Sequence, residues 1–324
     1  MPLIESTYKP ISLLKSAHFN TVFRTLFTAS SVNYTRERLE LNDGDFLDLD
    51  FVFSNCDTLV VILHGLEGSS NSNYISAISK YLSKQKVDVA AVNFRGCSGE
   101  DNRTFKSYHS GKTEDLDAVI KHINKEHNYK KIVVLGYSLG GNLVLKYMGE
   151  QGDNIDKKIT GAIAISTPCD LTGSSIALSR STNKIYLLRF MITLRSKALQ
   201  KLKKFPTSFL NKEKILATKN FKDFDNLYTA PAHGFKDAED YYMKNSSKQF
   251  LANITKPTLL VNALDDTFLN DDCFPYEIAK ESKYLFLETP KHGGHIGFNS
   301  KLIGTSGHWL EKRIYNFIKD HSIQ

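Results

Sequence analysis

A short strand that turns directly into a helix around a serine constrains this chain more than any other stretch. Residues 132–135 form an apolar run rich in β-branched side chains, which predicts a strand buried on both faces. Gly136-Tyr137-Ser138-Leu139-Gly140 follows at once, and apolar residues at helical spacing continue to Met148. Such a turn needs glycine where a Cβ would collide. It raises the serine hydroxyl clear of the sheet and aims a helix N-terminus beside it. The alternative is a tight glycine turn around a serine without a role.

Buried strands and helices alternate through the middle of the chain. Short apolar runs, separated by segments of helical spacing, occupy residues 59–63, 87–92, 132–135 and 159–165. This alternation predicts an α/β fold, in which a mostly parallel central sheet carries helices on both faces. Alternating side chains on either side of a turn at 42–45 predict an antiparallel hairpin in front of this sheet. Residues 1–33 are expected to be irregular or weakly helical.

The alternation stops near residue 171 and resumes near residue 257, which predicts an insertion. We expect residues 1–170 and 251–324 to form the core and residues 171–250 to form a helical cap over the strand ends. Two opposite faces of helical spacing indicate a long helix inside this cap. The apolar face consists of Leu187, Met191, Leu194, Ala198 and Leu202. The opposite face consists of Arg189, Thr193, Ser196, Gln200 and Lys203.

The positive charge of the chain is concentrated in the same region. The net charge is +7, yet no acidic residue lies between Asp170 and Glu213. That window contains nine basic residues, namely Arg180, Lys184, Arg189, Arg195, Lys197, Lys201, Lys203, Lys204 and Lys212. Without them the chain is slightly acidic, which argues against a nucleic-acid-binding protein. The basic cap at 180–204 is either an ordinary solvated helix face or a surface that contacts an anionic membrane.

The remaining composition narrows the class of protein. No apolar run approaches the roughly 20 residues of a membrane span. The first residues lack the charged and apolar regions of a signal peptide. The four cysteines are far apart, and no H-E-x-x-H motif is present. These features predict a cytoplasmic protein with reduced thiols and with no metal or other cofactor.

A serine hydroxyl needs a base within hydrogen-bond reach, and the base needs an acid to orient it. With a serine on this type of turn, the chain order is serine, then acid, then histidine. The loops after the later strands offer Asp265 and Asp266, and then His292 and His295. We expect His295 to be the base, because the two preceding glycines let its loop approach the serine. We expect Asp266 to be the acid, with Asp265 as the alternative.

Acyl transfer also requires hydrogen-bond donors for the oxygen that becomes negative. One donor is expected to be the backbone N–H of Leu139, directly after the serine. The second is expected in the loop after the strand that ends at residue 63, most simply the backbone N–H of Leu66. His64 resembles a catalytic base, but we interpret it as a structural residue that shapes this loop.

Six motifs, in order along nearly the whole chain, resemble the YheT-like group of α/β-hydrolases, which is related to eukaryotic α/β-hydrolase-domain esterases. They are HGLEGSS at 64–70, NFRGCSG at 93–99, YHSG at 108–111, GYSLGGN at 136–142, NALDD at 262–266 and GGHIGF at 293–298. The stretch SAHFNT at 16–21 also resembles the N-terminal segment of that group.

The resemblance implies an α/β-hydrolase fold and a triad of Ser138, Asp266 and His295. It also implies hydrolysis of carboxylic esters, often of lipid or short-chain type, so that the expected partner is a small acyl ester. Some members of the group pass the acyl group to an alcohol, which makes an acyltransferase the first alternative. A binding module that keeps the fold without catalysis is the second alternative.

Overall fold

One sheet connects nearly every part of the chain that the structure describes. The computed structural model describes residues 2–27, 31–207, 209–302 and 307–322. Within these ranges the sheet has nine strands. They are β1 (Leu3–Ile4), β2 (Thr35–Glu40), β3 (Phe46–Val52), β4 (Thr58–Leu63), β5 (Asp88–Asn93), β6 (Lys131–Tyr137), β7 (Ile159–Ile165), β8 (Thr258–Val261) and β9 (Leu285–Glu288).

The strand order is β1-β9-β8-β7-β6-β4-β5-β3-β2. Every neighbouring pair from β1 to β5 is parallel, and the hairpin strands β3 and β2 are added antiparallel at one edge. The predicted α/β fold with a mostly parallel sheet is therefore confirmed. Because β4 and β6 to β9 run in the same direction, the loops that follow them meet at one edge of the sheet.

Helices cover both faces of this sheet. They are α1 (Ala17–Phe27), α2 (Asn73–Lys84), α3 (Thr113–Glu126), α4 (Leu139–Gln151), α5 (Leu171–Leu178), α6 (Lys184–Lys204), α7 (Lys212–Ala217), α8 (Phe221–Phe224), α9 (Ala230–His233), α10 (Ala238–Asn245), α11 (Tyr276–Glu281) and α12 (Trp309–Ser322). Short 3₁₀ turns occupy Ser12–Lys15, Gly152–Asn154, Ser181–Asn183, Ser247–Asn253 and Asp271–Cys273.

Two apolar layers hold the helices on the sheet. On one face, side chains of α3 and α4 pack against alternate residues of the central strands. On the other face, α2 and α12 cover the remaining alternate residues, with Tyr8 from the N-terminal segment. The central strands are buried on both sides, which explains why they appear in the sequence as continuous apolar runs.

Between β7 and β8 the regular elements of the described residues are all helices, joined by loops. Helix α6 crosses this segment, and a small core of its own joins α6 to α7 and to the helix that follows. That helix runs from α8 through a π-helical turn at Asp225–Thr229 into α9. Among the helices that the structure describes, none has the length and apolar character that crossing a bilayer requires.

The N-terminal region is more ordered than the sequence pattern predicts. Leu3 and Ile4 pair in parallel with β9 at the edge of the sheet, and α1 follows as a regular helix. A strand of two residues is too short to show an alternating pattern, so the pattern contains no signal for β1.

Candidate active site

The turn around Ser138 has the strained geometry that the sequence predicts. Ser138 directly follows β6 and precedes α4, with φ 51° and ψ −118°. Its backbone is held by a hydrogen bond of 2.8 Å from its N–H to the carbonyl oxygen of Ile165. A Cβ on Gly136 would collide with the backbone of Gly140, and a Cβ on Gly140 would collide with the carbonyl oxygen of His64. Glycine is therefore required at both positions flanking the serine.

The structure brings three of the predicted site residues together in a chain of hydrogen bonds. His295 Nε2 lies 2.9 Å from Ser138 Oγ, and His295 Nδ1 lies 2.8 Å from Asp266 Oδ2. The Asp266 carboxylate accepts a hydrogen bond from Nδ1–H, so that Nε2 is left as the acceptor for the serine hydroxyl. The other oxygen of Asp266 accepts the backbone N–H of Phe268 at 3.0 Å. The Phe268 ring stacks on the imidazole at 4.2 Å between centroids.

Asp265 and His292, the other predicted candidates, lie beside this chain and do not reach the serine. Asp265 Oδ1 accepts the backbone N–H of Gly294 at 2.8 Å, and Asp265 Oδ2 lies 3.5 Å from His292 Nδ1. Burial raises the pKa of the Asp265 carboxyl, although the Gly294 N–H and His292 act in the opposite direction. Asp265 therefore anchors the loop that carries His295, rather than the imidazole itself.

Three successive backbone N–H groups of the histidine loop are each bound by a side chain from another segment. Asp265 accepts from Gly294, Thr21 accepts from His295 at 2.8 Å, and Ser166 accepts from Ile296 at 2.8 Å. The sequence analysis did not identify Thr21 or Ser166 as site residues. The available signal for Thr21 was its place in the SAHFNT stretch, and for Ser166 its place directly after β7.

The loop after β4 contains the predicted donor Leu66. His64 Nδ1–H donates to the carbonyl oxygen of Gly65 at 2.7 Å, and His64 Nε2 accepts the N–H of Phe94 at 3.2 Å. Because C=O and N–H point in opposite directions across a trans peptide, His64 sets the direction of the Leu66 N–H. Both bonds need a neutral imidazole, and burial lowers the pKa of His64 to about 4. The geometry gives His64 a structural role.

Leu139, the other predicted donor, is the first residue of α4. The first N–H groups of a helix have no partner within the helix and carry the positive end of its dipole. Leu66 and Leu139 both line the space beside the Ser138 hydroxyl.

A residue of the long helix α6 braces the loop that carries Leu66. Lys197 Nζ lies 3.0 Å from a carboxylate oxygen of Glu67, whose backbone is left-handed at φ 56°. Tyr108 contacts both ends of Glu67: its hydroxyl accepts the Glu67 N–H at 2.8 Å and donates to Glu67 Oε1 at 2.7 Å. Position in the sequence gives no sign of this contact, because 130 residues separate Lys197 from Glu67.

Two cavities meet at Ser138. The first, of about 150 Å³, lies under α6 and α8 and is largely apolar, with Phe190, Leu194, Phe221 and Phe224 in its wall. It also contains the Asp225 carboxyl, whose pKa burial raises to about 6 although the hydroxyls of Thr229 and Tyr242 donate to it. The second cavity, of about 540 Å³, lies between α1 and α6 and contains His295.

The basic residues of the segment 180–204 fall into two groups. Lys197, Lys201 and Lys204 form ion pairs with Glu67 or Asp101, and Arg195 donates to the carbonyl oxygen of Thr218. The other four are exposed on α6 or just before it, and they form no ion pair within the described residues: Arg180, Lys184, Arg189 and Lys203. Across the residues that the structure describes, no cluster of three or more His, Cys, Asp or Glu residues could hold a metal ion.

This combination of sheet, serine turn and histidine loop defines a class of protein. Residues 58–301 match the family described by the α/β-hydrolase fold, and the chain belongs to that family. Within it the chain is similar to the Escherichia coli (strain K12) protein named "Putative esterase YheT", with 32% identity over 95% of this chain and 92% of that protein. The resemblance to the YheT-like group is thereby confirmed.

A second relative supports a hydrolase of the esterase or lipase type, and a solved structure supports the fold. Phospholipase ABHD3 of Mus musculus is 27% identical over 92% of this chain and 74% of its own length. The structure of the Pyrococcus furiosus esterase Pf2001 superposes with a TM-score of 0.59 at 18% identity, over 89% of this chain and 91% of that one, and so supports the fold. The chain is accordingly a hydrolase of this family.

Proposed function

We propose that the protein cleaves carboxylic esters with Ser138 as nucleophile, His295 as general base and acid, and Asp266 as the group that orients His295. The observation that carries this proposal is the continuous hydrogen-bonded chain from Ser138 Oγ through the imidazole to a carboxylate with a fully buried side chain. A serine hydroxyl is a weak nucleophile alone, and this arrangement supplies the base that it needs.

In the first half of the reaction, Ser138 Oγ attacks the carbonyl carbon of the ester and its proton passes to His295 Nε2. The carbonyl oxygen becomes negative and accepts hydrogen bonds from the N–H groups of Leu66 and Leu139. One such donor typically contributes about 3 kcal/mol to lowering the barrier. Asp266 stabilises the imidazolium that forms and keeps its ring oriented. The intermediate then collapses: the C–O bond to the alcohol breaks, and the alcohol leaves with the proton from His295.

In the second half, water takes the place of the alcohol. His295 removes a proton from the water, which attacks the acyl carbon, and the carboxylic acid leaves as Ser138 regains its proton. The apolar cavity under α6 suits an acyl chain, and the cavity between α1 and α6 suits the alcohol portion and the incoming water. If an alcohol resolves the acyl-enzyme instead of water, the same steps make an acyltransferase.

The test is labelling with a fluorophosphonate probe, which reacts with activated serines, followed by turnover of p-nitrophenyl esters of increasing acyl length. Wild type is compared with Ser138→Ala and with Ser196→Ala, which changes an exposed serine of α6. We expect wild type and Ser196→Ala to be labelled and active, and Ser138→Ala to fold normally but to lose both signals. Turnover by Ser138→Ala close to that of wild type would refute the proposal. Added ethanol then shows whether ethyl esters form as well as free acid.

A further inference from the structure

Helix α6 has a second apolar face that the fold does not use. Its inward face contributes Met191 and Ala198, both buried, to the small core beneath it. Ile185, Leu188 and Ile192 lie at i, i+3 and i+7 on the outward side, where they are 82%, 56% and 59% exposed. Residues at this spacing share one helix face. An amphipathic helix in a soluble domain needs one apolar face for its core, so this one has another purpose.

Helix α1 extends this exposed apolar face. Val22 and Leu26, one turn apart, are 37% and 60% exposed. The two helices are joined where His18 stacks on Tyr186, with His18 Nδ1 3.2 Å from the tyrosine hydroxyl. The five residues Val22, Leu26, Ile185, Leu188 and Ile192 are called the apolar rim below.

The apolar rim surrounds the approach to the candidate active site. Val22, Leu26 and Ile185 line the same cavity as Ser138 and His295. Any partner that covered the apolar rim would therefore lie directly over the opening of this cavity, through which a substrate reaches the serine. A protein bound there would block the opening, whereas a lipid surface would present ester molecules to it.

The charge around the rim fits an anionic surface. Lys184, Arg189 and Lys203 extend from the same outward part of α6, and none of them forms an ion pair within the described ranges. The sequence has no acid from 171 to 212 that could neutralise them. Apolar side chains flanked by lysine and arginine on one helix face are typical of helices that lie in a membrane interface.

We propose that the apolar rim and its neighbouring cations dock the protein onto a lipid surface that contains anionic lipids, with the opening to Ser138 facing the lipid. Ile185, Leu188 and Ile192 enter the boundary between headgroups and acyl chains, and Lys184, Arg189 and Lys203 contact the lipid phosphates. The docking needs no catalysis, so it goes beyond the proposed function and can be tested in its absence.

The first test measures binding of the full chain to sedimenting vesicles. It uses Ser138→Ala throughout, so that no lipid is consumed, and vesicles of phosphatidylcholine alone or mixed with phosphatidylglycerol in equal parts. We expect salt-sensitive binding to the mixed vesicles. Adding Leu188→Ser and Ile192→Ser should weaken this binding about tenfold or more, because two apolar side chains no longer leave water. The matched control, Leu216→Ser with Met243→Ser, changes two exposed apolar residues on α7 and α10 and should bind normally.

The second test separates charge from apolar contact. Arg189→Gln with Lys203→Gln should weaken binding to the mixed vesicles by about fivefold for each charge removed. The control, Lys157→Gln with Lys283→Gln, removes two exposed cations that precede β7 and β9, at the opposite edge of the sheet. It should leave binding unchanged, although it alters the net charge equally.

Three results of the vesicle tests would overturn the docking proposal. They are absence of vesicle binding, vesicle binding that the Leu188→Ser, Ile192→Ser variant retains in full, and equal weakening by both charge pairs. Self-association that disappears in the same apolar variant, without vesicle binding, would also overturn it and would make the rim an interface between copies of the chain. In the Ser138-containing protein, the apolar variant should still hydrolyse a soluble short-chain ester. Failure of that activity in wild type would count against the proposed function and not against the docking.

Discussion

Two aspartate–histidine pairs lie side by side after β8 and β9, and only one of them reaches a serine. Asp266 and His295 are 2.8 Å apart, with side chains that are 0% and 9% exposed. Asp265 and His292 are 3.5 Å apart and are 21% and 27% exposed. The residue types are the same, and the acids are adjacent in the chain. The difference between the pairs therefore arises from their surroundings.

These surroundings hold the Asp266–His295 pair in place and constrain the Asp265–His292 pair less. His295 is held at both ring nitrogens, at its backbone N–H by Thr21 and on one ring face by Phe268. Within the described residues, the His292 ring makes one polar contact, its approach to Asp265. A histidine that accepts a proton during a reaction must be oriented in advance. The comparison thus supports the proposed catalytic role of Asp266 and His295, whereas Asp265 supports their loop.

The strongest challenge to this comparison is Asp266→Asn. The amide is neutral and can donate an N–H to Nδ1, so it favours the tautomer with a proton on Nε2 and removes the charge that stabilises the imidazolium. We expect kcat for ester hydrolysis to fall about 10⁴-fold with the fold intact. Steady-state kinetics and a thermal melt measure both quantities. A loss of less than tenfold would transfer the role of the acid to Asp265.

Thr21→Val examines the support of His295 from the N-terminal helix. Valine keeps the shape of threonine but removes the acceptor for the His295 N–H and the donor to the Ala17 carbonyl oxygen. We expect kcat to fall about 10–100-fold, with little change in KM, because small displacements of a catalytic group are costly. Thr21→Ser restores the hydroxyl and should recover most of the activity. If both variants were equally impaired, the hydroxyl would not be what positions His295.

Asp265→Asn should have a smaller effect on catalysis and a distinct effect on stability. Asparagine can still accept the Gly294 N–H, so we expect kcat to fall less than tenfold. Burial raises the pKa of Asp265, so between its ordinary and raised pKa the folded protein binds more protons than the unfolded chain. The free energy of unfolding therefore falls as pH rises through that window.

Urea unfolding at several pH values measures this linkage. We expect Asp265→Asn to remove this component of the decrease, which begins as pH rises above the ordinary pKa of an aspartate. His292→Ala is the comparison variant: it keeps the Asp265 carboxyl and removes a neighbour that lowers the pKa of that carboxyl, so it should retain or enlarge this component. An unchanged pH profile in Asp265→Asn would show that this carboxyl titrates alike in the folded and unfolded states.

The smallest effect is expected for His292→Gln. This ring is partly exposed and does not contact the serine, so kcat should stay within about twofold of wild type. Its pH–rate profile should also keep the wild-type shape, because His292 takes no part in the proposed mechanism. A profile displaced by a full pH unit would mean that the two pairs act as one unit.

Local patterns in the sequence were sufficient for the serine turn and for the sheet apart from β1. The continuous apolar runs predicted the parallel strands, and the glycines around Ser138 predicted a turn whose steric reason is visible in Gly136 and Gly140. The motif order also predicted which loops would meet at the sheet edge. The structure then places His295 and Asp266 together, and keeps His292 at a distance from Ser138.

Contacts between distant segments were not predictable in this way. Thr21 and His295 are 274 residues apart, and Lys197 and Glu67 are 130 residues apart, so no local pattern links them. The outward apolar face of α6 was also missed. Ile185, Leu188 and Ile192 are interleaved with polar residues, and the stronger inward pattern of Met191 and Ala198 already accounted for an amphipathic helix.

The contact between Thr21 and His295 also has a consequence for the order of events during synthesis. Ser138 leaves the ribosome 157 residues ahead of His295. At about 5–20 residues per second, that interval lasts roughly 8–30 s. Helix α1 is synthesised early, but the His295 N–H that Thr21 binds emerges only with the histidine loop. Under the proposed mechanism, a growing chain therefore carries Ser138 throughout this interval without the base that would activate it.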